Sequence, residues 1–345
     1  MSYELQSFNY YLPPELIGQE PAKPRDAARL LVLNCQTQEI QESNFKCLAD
    51  FLQPGDVLVI NDSKVLPARL LGNKESGGQV EILLHRLEKA NVWECLVGGR
   101  VRSALKVFFK KGLVATLIND QGDGTWRVAF NQSGAKFIKT VSAIGLMPLP
   151  PYIKSAHQKL RANKKRYQTV YAADNKVGSV AAPTAGLHFT PRLLRSLKKR
   201  GISVKKITLH VGLGTFAAVK EADIRNHQMH AEWAVIDKKT ATYLRSAKQA
   251  GRRLVAVGTT SARTLETWAQ VGWPEELGAW TKIFIYPGYN FLAVDALITN
   301  FHLPQSTLLM MVSAFAGEDL TKKAYQLAVK KGYKFYSFGD GMLIV

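Results

Sequence analysis

Cysteine is scarce in this 345-residue chain: Cys35, Cys47 and Cys95 are odd in number, far apart and without a CxxC pair. That spacing excludes a disulfide scaffold and a cysteine-held zinc or iron–sulfur centre, and fits reduced thiols in a cytoplasmic protein. Long apolar runs are missing too. The best, Thr307 to Ala316, is about half the roughly 18 residues that a membrane-spanning helix needs. Met1 to Gln6 includes Glu4 and lacks a basic start ahead of an apolar run, so no signal peptide is expected. No Walker lysine follows a glycine-rich loop, which argues against a nucleotide triphosphatase. Acidic residues are also few: 27 Asp and Glu stand against 46 Lys and Arg, a net charge of +19.

That excess falls in clusters, Arg100 to Lys111, Lys154 to Arg166, Arg192 to Lys206 and Lys322 to Lys334. Neutralising phosphates releases condensed counterions, so nucleic acid is the favoured partner. A solvated face or an acidic protein would account for the same charge, but no long amphipathic basic helix supports a membrane role. No obligate protein partner is evident.

The length exceeds one ordinary domain. Arg29 to Leu33 reads as a strand, Ser43 as the cap of a helix bearing Phe45, Leu48, Ala49 and Leu52, and Val57 to Ile60 as a strand buried on both faces. From about Pro67 the texture changes. Short apolar runs (Val80–Leu84, Trp93–Val97, Val107–Phe109, Val114–Ile118, Trp126–Phe130) alternate with Gly-, Asn- and Asp-rich turns. A helix over Ala135 to Ile144, with Gly145 as its left-handed end, closes this block. The expected fold is therefore α/β: a discontinuous α/β domain, 1–66 and 152–345, interrupted over 67–151 by an inserted antiparallel β-barrel domain.

Three later units share one plan of basic helix, glycine and strand: Arg192–Arg200 with Val204–Val211, Thr240–Ala250 with Leu254–Val257, and Thr321–Lys331 with Phe335–Phe338. Helices alternating with strands imply a sheet of parallel character, whose ligand crevice lies beyond the strands' carboxyl ends. His210 to Thr215, Gly258 to Ser261 and Gly339 to Gly341 fall there. Gly212-x-Gly214-x-x-Ala217 matches a permissive dinucleotide fingerprint, but the helix it should open is poorly patterned, and a flexible turn explains it as well. Gly258-Thr-Thr-Ser261 would present helix N–H groups to an anion, or simply cap a helix. His227 and His230 could bind metal, yet no third ligand stands nearby, so no metal site is expected. The uncharged stretch from Gly178 to Phe189 offers a ligand cradle or a tightly packed turn, with Ser179, Thr184, Gly186 and His188 as its candidates. His302 before an apolar helix is either functional or a hydrogen-bonded core histidine. The basic run up to Arg166, beside Tyr167 and Tyr171, mixes charge with aromatic rings as RNA-binding segments do.

Taken together, Asn61-Asp-Ser-Lys-Val-Leu-Pro-Ala-Arg69, Leu149-Pro-Pro-Tyr-Ile153, Tyr167-Gln-Thr-Val-Tyr171, Thr208-Leu-His-Val-Gly212, His227-x-Met-His230, Gly258-Thr-Thr-Ser261 and Asn300-Phe-His-Leu-Pro304 resemble the S-adenosylmethionine:tRNA ribosyltransferase-isomerase family of queuosine biosynthesis. Ala262 and Gly341 depart from residues usual there. The resemblance implies an α/β domain interrupted by a β-barrel. It implies transfer and isomerisation of the ribosyl group of S-adenosylmethionine onto 7-aminomethyl-7-deazaguanine at a tRNA wobble position. Epoxyqueuosine-tRNA, adenine and methionine would be the products, with S-adenosylmethionine a substrate and no cofactor. Position and chemistry then suggest His188, His210, His302 and Asp340 for acid–base work, with Asp62 and Glu266 as carboxylate alternatives. Ser179, Thr184, Gly186, Gly212, Gly214, Gly258, Thr259, Thr260 and Ser261 would hold the donor, with Thr259, Thr260 and Ser261 on its methionine carboxylate or ribose hydroxyls. Lys164, Lys165 and Arg166 would meet tRNA phosphates. An RNA methyltransferase and a non-enzymatic tRNA-binding protein are the competing readings.

Overall fold

The computed structural model describes residues 3–122, 124–150, 152–153, 164–212 and 219–345. In chain order the strands are β1 Arg29–Leu33, β2 Ile40–Asn44, β3 Val57–Asn61, β4 Lys64–Val65, β5 Arg69–Lys74, β6 Gln79–Lys89, β7 Val92–Gly98, β8 Lys106–Phe108, β9 Val114–Asp120 and β10 Thr125–Phe130. After the helix Gly134–Ile144 come β11 Val177–Ser179, β12 Ser203–His210, β13 Glu232–Ile236, β14 Leu254–Val257, β15 Leu277–Thr281, β16 Ala296–Asn300 and β17 Gly341–Ile344.

A nine-stranded sheet runs in the order β15-β13-β12-β3-β14-β16-β17-β1-β2. Its centre, β12-β3-β14-β16, is parallel, while β17 runs antiparallel to β16. The apolar runs supply both faces through the two-residue period of a strand. Val57 and Val59 of β3 join Leu254 and Ala256 under the helices Lys238–Gln249, Thr259–Gln270, Thr307–Ala316 and Glu318–Lys330. Leu58 and Ile60 join Val255 and Val257 on the opposite face, against Leu193 and Leu197 of the helix Pro191–Lys199 and Phe45 and Leu48 of the 3-10 helix Phe45–Asp50.

Between β4 and β11 the chain forms a closed barrel, β10-β7-β6-β5-β8-β9, every pairing antiparallel. Its interior holds the alternate residues of each run, Val80, Ile82 and Leu84 among them, and Phe137 and Val141 of the helix Gly134–Ile144 join that core. The expected α/β fold with an inserted antiparallel barrel is what the chain adopts.

Local expectations fail where tertiary contacts decide. Ser43 lies inside β2, paired with Leu30, and the helix begins after Asn44 as a 3-10 segment. Gly145 has φ −72° rather than a left-handed conformation; a Cβ there would sit 1.9 Å from the Pro67 carbonyl oxygen, so close backbone approach is what requires glycine. Phe335–Phe338 is not a strand. Tyr336, at φ 74°, turns the chain, its N–H donating to Phe301 O while Gly339 N–H donates to Tyr336 O. The last sheet strand is β17, so Gly339-Asp340-Gly341 leads into a strand instead of following one. Because β17 opposes β16, that lead-in still arrives at the edge where β12, β14 and β16 end.

Candidate functional site

At this edge lies a cavity of about 280 Å³, bordered by Val211 after β12, Gly258 after β14, Thr299 and Asn300 at the end of β16, and His302 just beyond. Thr184 and Ala185 close one side and Tyr152, Tyr167 and Tyr336 another. Two non-glycine residues in the cavity wall have positive φ, Gln305 at 57° and Tyr336 at 74°. Backbone held in such sparsely populated conformations concentrates at ligand sites, because the surroundings must over-determine it. Gly258 has φ 84° and ψ 156°, a region nearly restricted to glycine, and starts the helix Thr259–Gln270 without a side-chain cap. The first turn of that helix, whose Thr259 and Thr260 border the cavity, thus has no side-chain cap for its N–H groups.

The histidines divide by environment. His302 is 8% exposed, lies in the cavity wall and shares a 2.8 Å hydrogen bond between Nε2 and Thr299 Oγ1. Burial pushes its pKa down to about 3, so the ring is neutral at pH 7. His188 stands one residue deeper: Asn300 Nδ2 donates to its Nε2 at 3.0 Å, and its ring lies 4.7 Å from that of Phe45. Burial, then the Arg25 charge, lowers its pKa to about 4. Asn300 bridges this histidine to the cavity, and its buried Oδ1 has no partner among the described residues. His210 is elsewhere, its ring against Gly178, and its buried Nδ1 has no partner among the described residues. Burial and Lys176 lower its pKa while Asp62 opposes them.

The carboxylates are already engaged. Asp62 accepts from Thr208 Oγ1 at 2.8 Å and borders a separate cleft with Lys176 and Lys206. Asp340 accepts from the backbone N–H of Arg29 and of Lys334, both at 2.8 Å, and burial raises its pKa against those bonds. Glu266 accepts from Leu292, Ala293 and Val294 N–H and from Tyr289 Oη–H, at 2.9 to 3.0 Å. Its oxygens clamp the loop ahead of β16 and do not border the cavity.

Among the expected donor-holding residues, Thr184, Gly258, Thr259 and Thr260 line the cavity. Ser179 Oγ donates to Ala181 O and accepts from Val211 N–H, bracing the cavity wall from behind. Gly186 and Ser261 are buried outside the lining, and Gly212 N–H donates to Glu232 Oε1 at 2.9 Å. Gly214 and Ala217 lie outside the described residues. Lys164 Nζ donates to Ser142 O, Arg166 approaches Glu20 at 3.7 Å, and Lys165 is exposed. Among the described residues no group of three His, Cys, Asp or Glu could hold a metal, and no helix is long and apolar enough to cross a membrane.

Three contributors were not singled out from the sequence: Asn300, Tyr336 and Arg263. Asn300 sits within a motif that stands out for its histidine, and Tyr336 falls in a run whose pattern predicts a strand. Arg263 falls on the inner face of its helix, where a charge is rare unless it is paired. It forms a close ion pair with Glu232 and is 6% exposed.

Comparison with known proteins identifies the family. Residues 5–344 match the family described as queuosine biosynthesis protein. A Thermotoga maritima protein named S-adenosylmethionine:tRNA ribosyltransferase-isomerase is 48% identical over 344 residues, 99% of this chain and 100% of its own length. A Thermoanaerobacter sp. protein of the same name is 50% identical over 343 residues, 98% of each chain. The crystal structure of an S-adenosylmethionine tRNA ribosyltransferase from Thermotoga maritima superposes with a TM-score of 0.58 at 39% identity, covering 98% of this chain and 100% of that one. By match over nearly its whole length, the chain belongs to the queuosine biosynthesis protein family.

Proposed function

We propose that the protein is an S-adenosylmethionine:tRNA ribosyltransferase-isomerase. In this reading it moves the ribosyl group of S-adenosylmethionine onto the aminomethyl nitrogen of 7-aminomethyl-7-deazaguanine at the tRNA wobble position and isomerises it. Epoxyqueuosine-tRNA forms, and adenine and methionine leave. The observation that carries the reading is the full-length match to relatives of that name, at 48% and 50% identity.

The cavity suits the chemistry. An amine attacks only when unprotonated, and a largely apolar cavity wall disfavours ammonium. The sulfonium of the donor is attracted to aromatic faces, and Tyr152 and Tyr336, whose ring centroids are 4.0 Å apart, border the cavity. His302, neutral at pH 7, offers a hydrogen-bonding nitrogen beside Thr299, and Asn300 links the cavity to the second neutral histidine, His188. In this reading His302, Asn300 and His188 take the polar work at the reacting centre, with no resident cofactor. Thr184 and the Gly258–Thr260 turn hold the donor. The exposed Arg195, Lys198 and Lys199 on the helix Pro191–Lys199, with Lys165, supply positive surface for the tRNA backbone.

Incubation with tRNA carrying 7-aminomethyl-7-deazaguanine and S-adenosylmethionine tests the reading. The expected result is release of adenine and methionine with the epoxyqueuosine mass at the wobble nucleoside. S-adenosylhomocysteine in their place would make the protein a methyltransferase, and an unconsumed donor with salt-sensitive tRNA binding would make it a binding protein.

A further inference from the structure

Behind the main cavity lies a smaller chamber of about 20 Å³, which shares Thr259, Thr260 and Leu308 with it. Arg263 lines it together with Glu232, which is ion-paired to it, and with His227, Met229, His230 and Thr307. We propose that Arg263 and Thr260 form the subsite for the carboxylate of the methionine end of S-adenosylmethionine. The proposal rests on the ribosyl-transfer reading and fixes the direction in which the donor lies.

Arg263 and Thr260 are 6% and 9% exposed, and three residues apart on one helix they share a face. The guanidinium is held on two sides: Nη1 by Glu232, and Nε by the Ile283 carbonyl at 3.3 Å. Its Nη2 is buried and has no partner among the described residues, and neither has Thr260 Oγ1. Leaving a buried guanidinium N–H without an acceptor is unfavourable, and a planar fork of donors matches a carboxylate. The uncapped N-terminus of the same helix adds N–H groups and a positive dipole end. Glu232 also accepts from Gly212 N–H, so the ion pair that orients Arg263 is tied to the end of β12. The guanidinium is therefore fixed before a ligand arrives, and one donor edge remains.

Size selects the anion. A water needs roughly 10–15 Å³ of such space, so the chamber takes one or two oxygen-sized groups. That suits a carboxylate and is too small for a phosphodiester with its two sugar substituents. S-adenosylmethionine carries one carboxylate, at the end remote from the ribose. Seating it here places sulfonium and ribose in the main cavity, towards Tyr336, Asn300 and His302.

The test compares S-adenosylmethionine with its decarboxylated analogue, S-adenosyl-3-methylthiopropylamine, on the full-length protein, by calorimetric binding and by kcat/KM with modified tRNA. A charge-assisted bond to a fixed guanidinium predicts that the wild type binds the analogue about 10- to 100-fold more weakly. Arg263→Gln should weaken S-adenosylmethionine alone and bring the two ligands within about threefold of one another. Because Arg263→Gln strands Glu232, Thr260→Val serves as the milder variant, with a smaller loss in the same direction. Equal affinity of the wild type for both ligands would overturn the proposal, as would variants that weaken both by one factor. If the wild type consumes S-adenosylmethionine without discriminating, only the subsite falls. If it does not bind S-adenosylmethionine at all, the functional reading falls with it.

Discussion

Glu266 tests whether a buried carboxylate at the sheet's edge is a base or a brace. Its two oxygens accept four hydrogen bonds, from Tyr289 Oη–H and from the N–H groups of Leu292, Ala293 and Val294. The side chain is 0% exposed. In Glu266→Gln one oxygen remains to accept two of these, and an amide that can only donate faces the other two. Losing two charge-assisted bonds at about 1.5–3 kcal/mol each costs about 3–6 kcal/mol. The Tyr289 hydroxyl can turn and accept from the new amide, recovering about 1 kcal/mol. The net loss of about 2–5 kcal/mol is a large share of the roughly 5–15 kcal/mol that holds a domain together. The assay is urea unfolding followed by tryptophan fluorescence, for which Trp268 on the same helix is a buried reporter. It is paired with turnover measured at a temperature where the variant stays folded. The expected result is a much lower unfolding midpoint with kcat within about threefold of wild type. An unchanged midpoint with kcat reduced about 100-fold or more, the usual weight of a general base, would refute the brace and make Glu266 catalytic.

Two further perturbations probe the same edge. His188 and His302 have folded pKa values near 4 and 3, lowered chiefly by burial, against an ordinary 6.5. Above the ordinary value the folded and unfolded chains are neutral at these positions. As pH falls below it, the unfolded chain takes up protons that the folded one refuses, so stability declines from about pH 6.5 down towards pH 4 and 3, by up to about 1.4 kcal/mol per histidine per pH unit. Urea midpoints at pH 7.5 and 5 check this: His302→Gln should show a shallower decline, and equal declines would contradict it. In Gly186→Ala the new Cβ would stand 2.0 Å from Tyr171 Oη and 2.9 Å from Thr169 Cγ2. Tyr171 is 7% exposed and has little room to retreat, so overpacking should cost about 1–3 kcal/mol or more. A thermal midpoint unchanged from wild type would show that the cradle yields.

The alternating apolar runs of the barrel and the helix–glycine–strand units before β12 and β14 were legible because burial imposes its period directly on the residues. The third unit was misread at Phe335–Phe338, where an apolar run is bent by Tyr336 into a turn pinned to Phe301 and Lys334. Aromatic residues packed in a turn and in a strand look alike until the partner is known. The consequence for the site was small, since β17 runs opposite to β16 and brings Asp340 to the same edge either way.

Chemical type was easier to read than availability. His188, His210, His302, Asp62, Glu266 and Asp340 all have the composition of acid–base residues, and all but His210 are at least nine-tenths buried. What separates them is how much bonding capacity the fold leaves over. Glu266 and Asp340 have given both oxygens to backbone N–H groups or a tyrosine, from segments that only the folded chain brings near. His302 keeps a place in the cavity wall, with a neighbouring threonine as its partner. Arg263 inverts the case: pattern alone assigns a charge on the inner face of an apolar helix to an ion pair, and so it is, with Glu232. Yet a guanidinium has five N–H donors; Arg263 lines a chamber that shares residues with the cavity, and its Nη2 has no acceptor among the described residues. At this edge, residual valence separates Arg263 and Asn300 from Glu266 and Asp340, which their identity alone does not; elsewhere, as at His210, a buried atom without a partner among the described residues borders no part of the cavity.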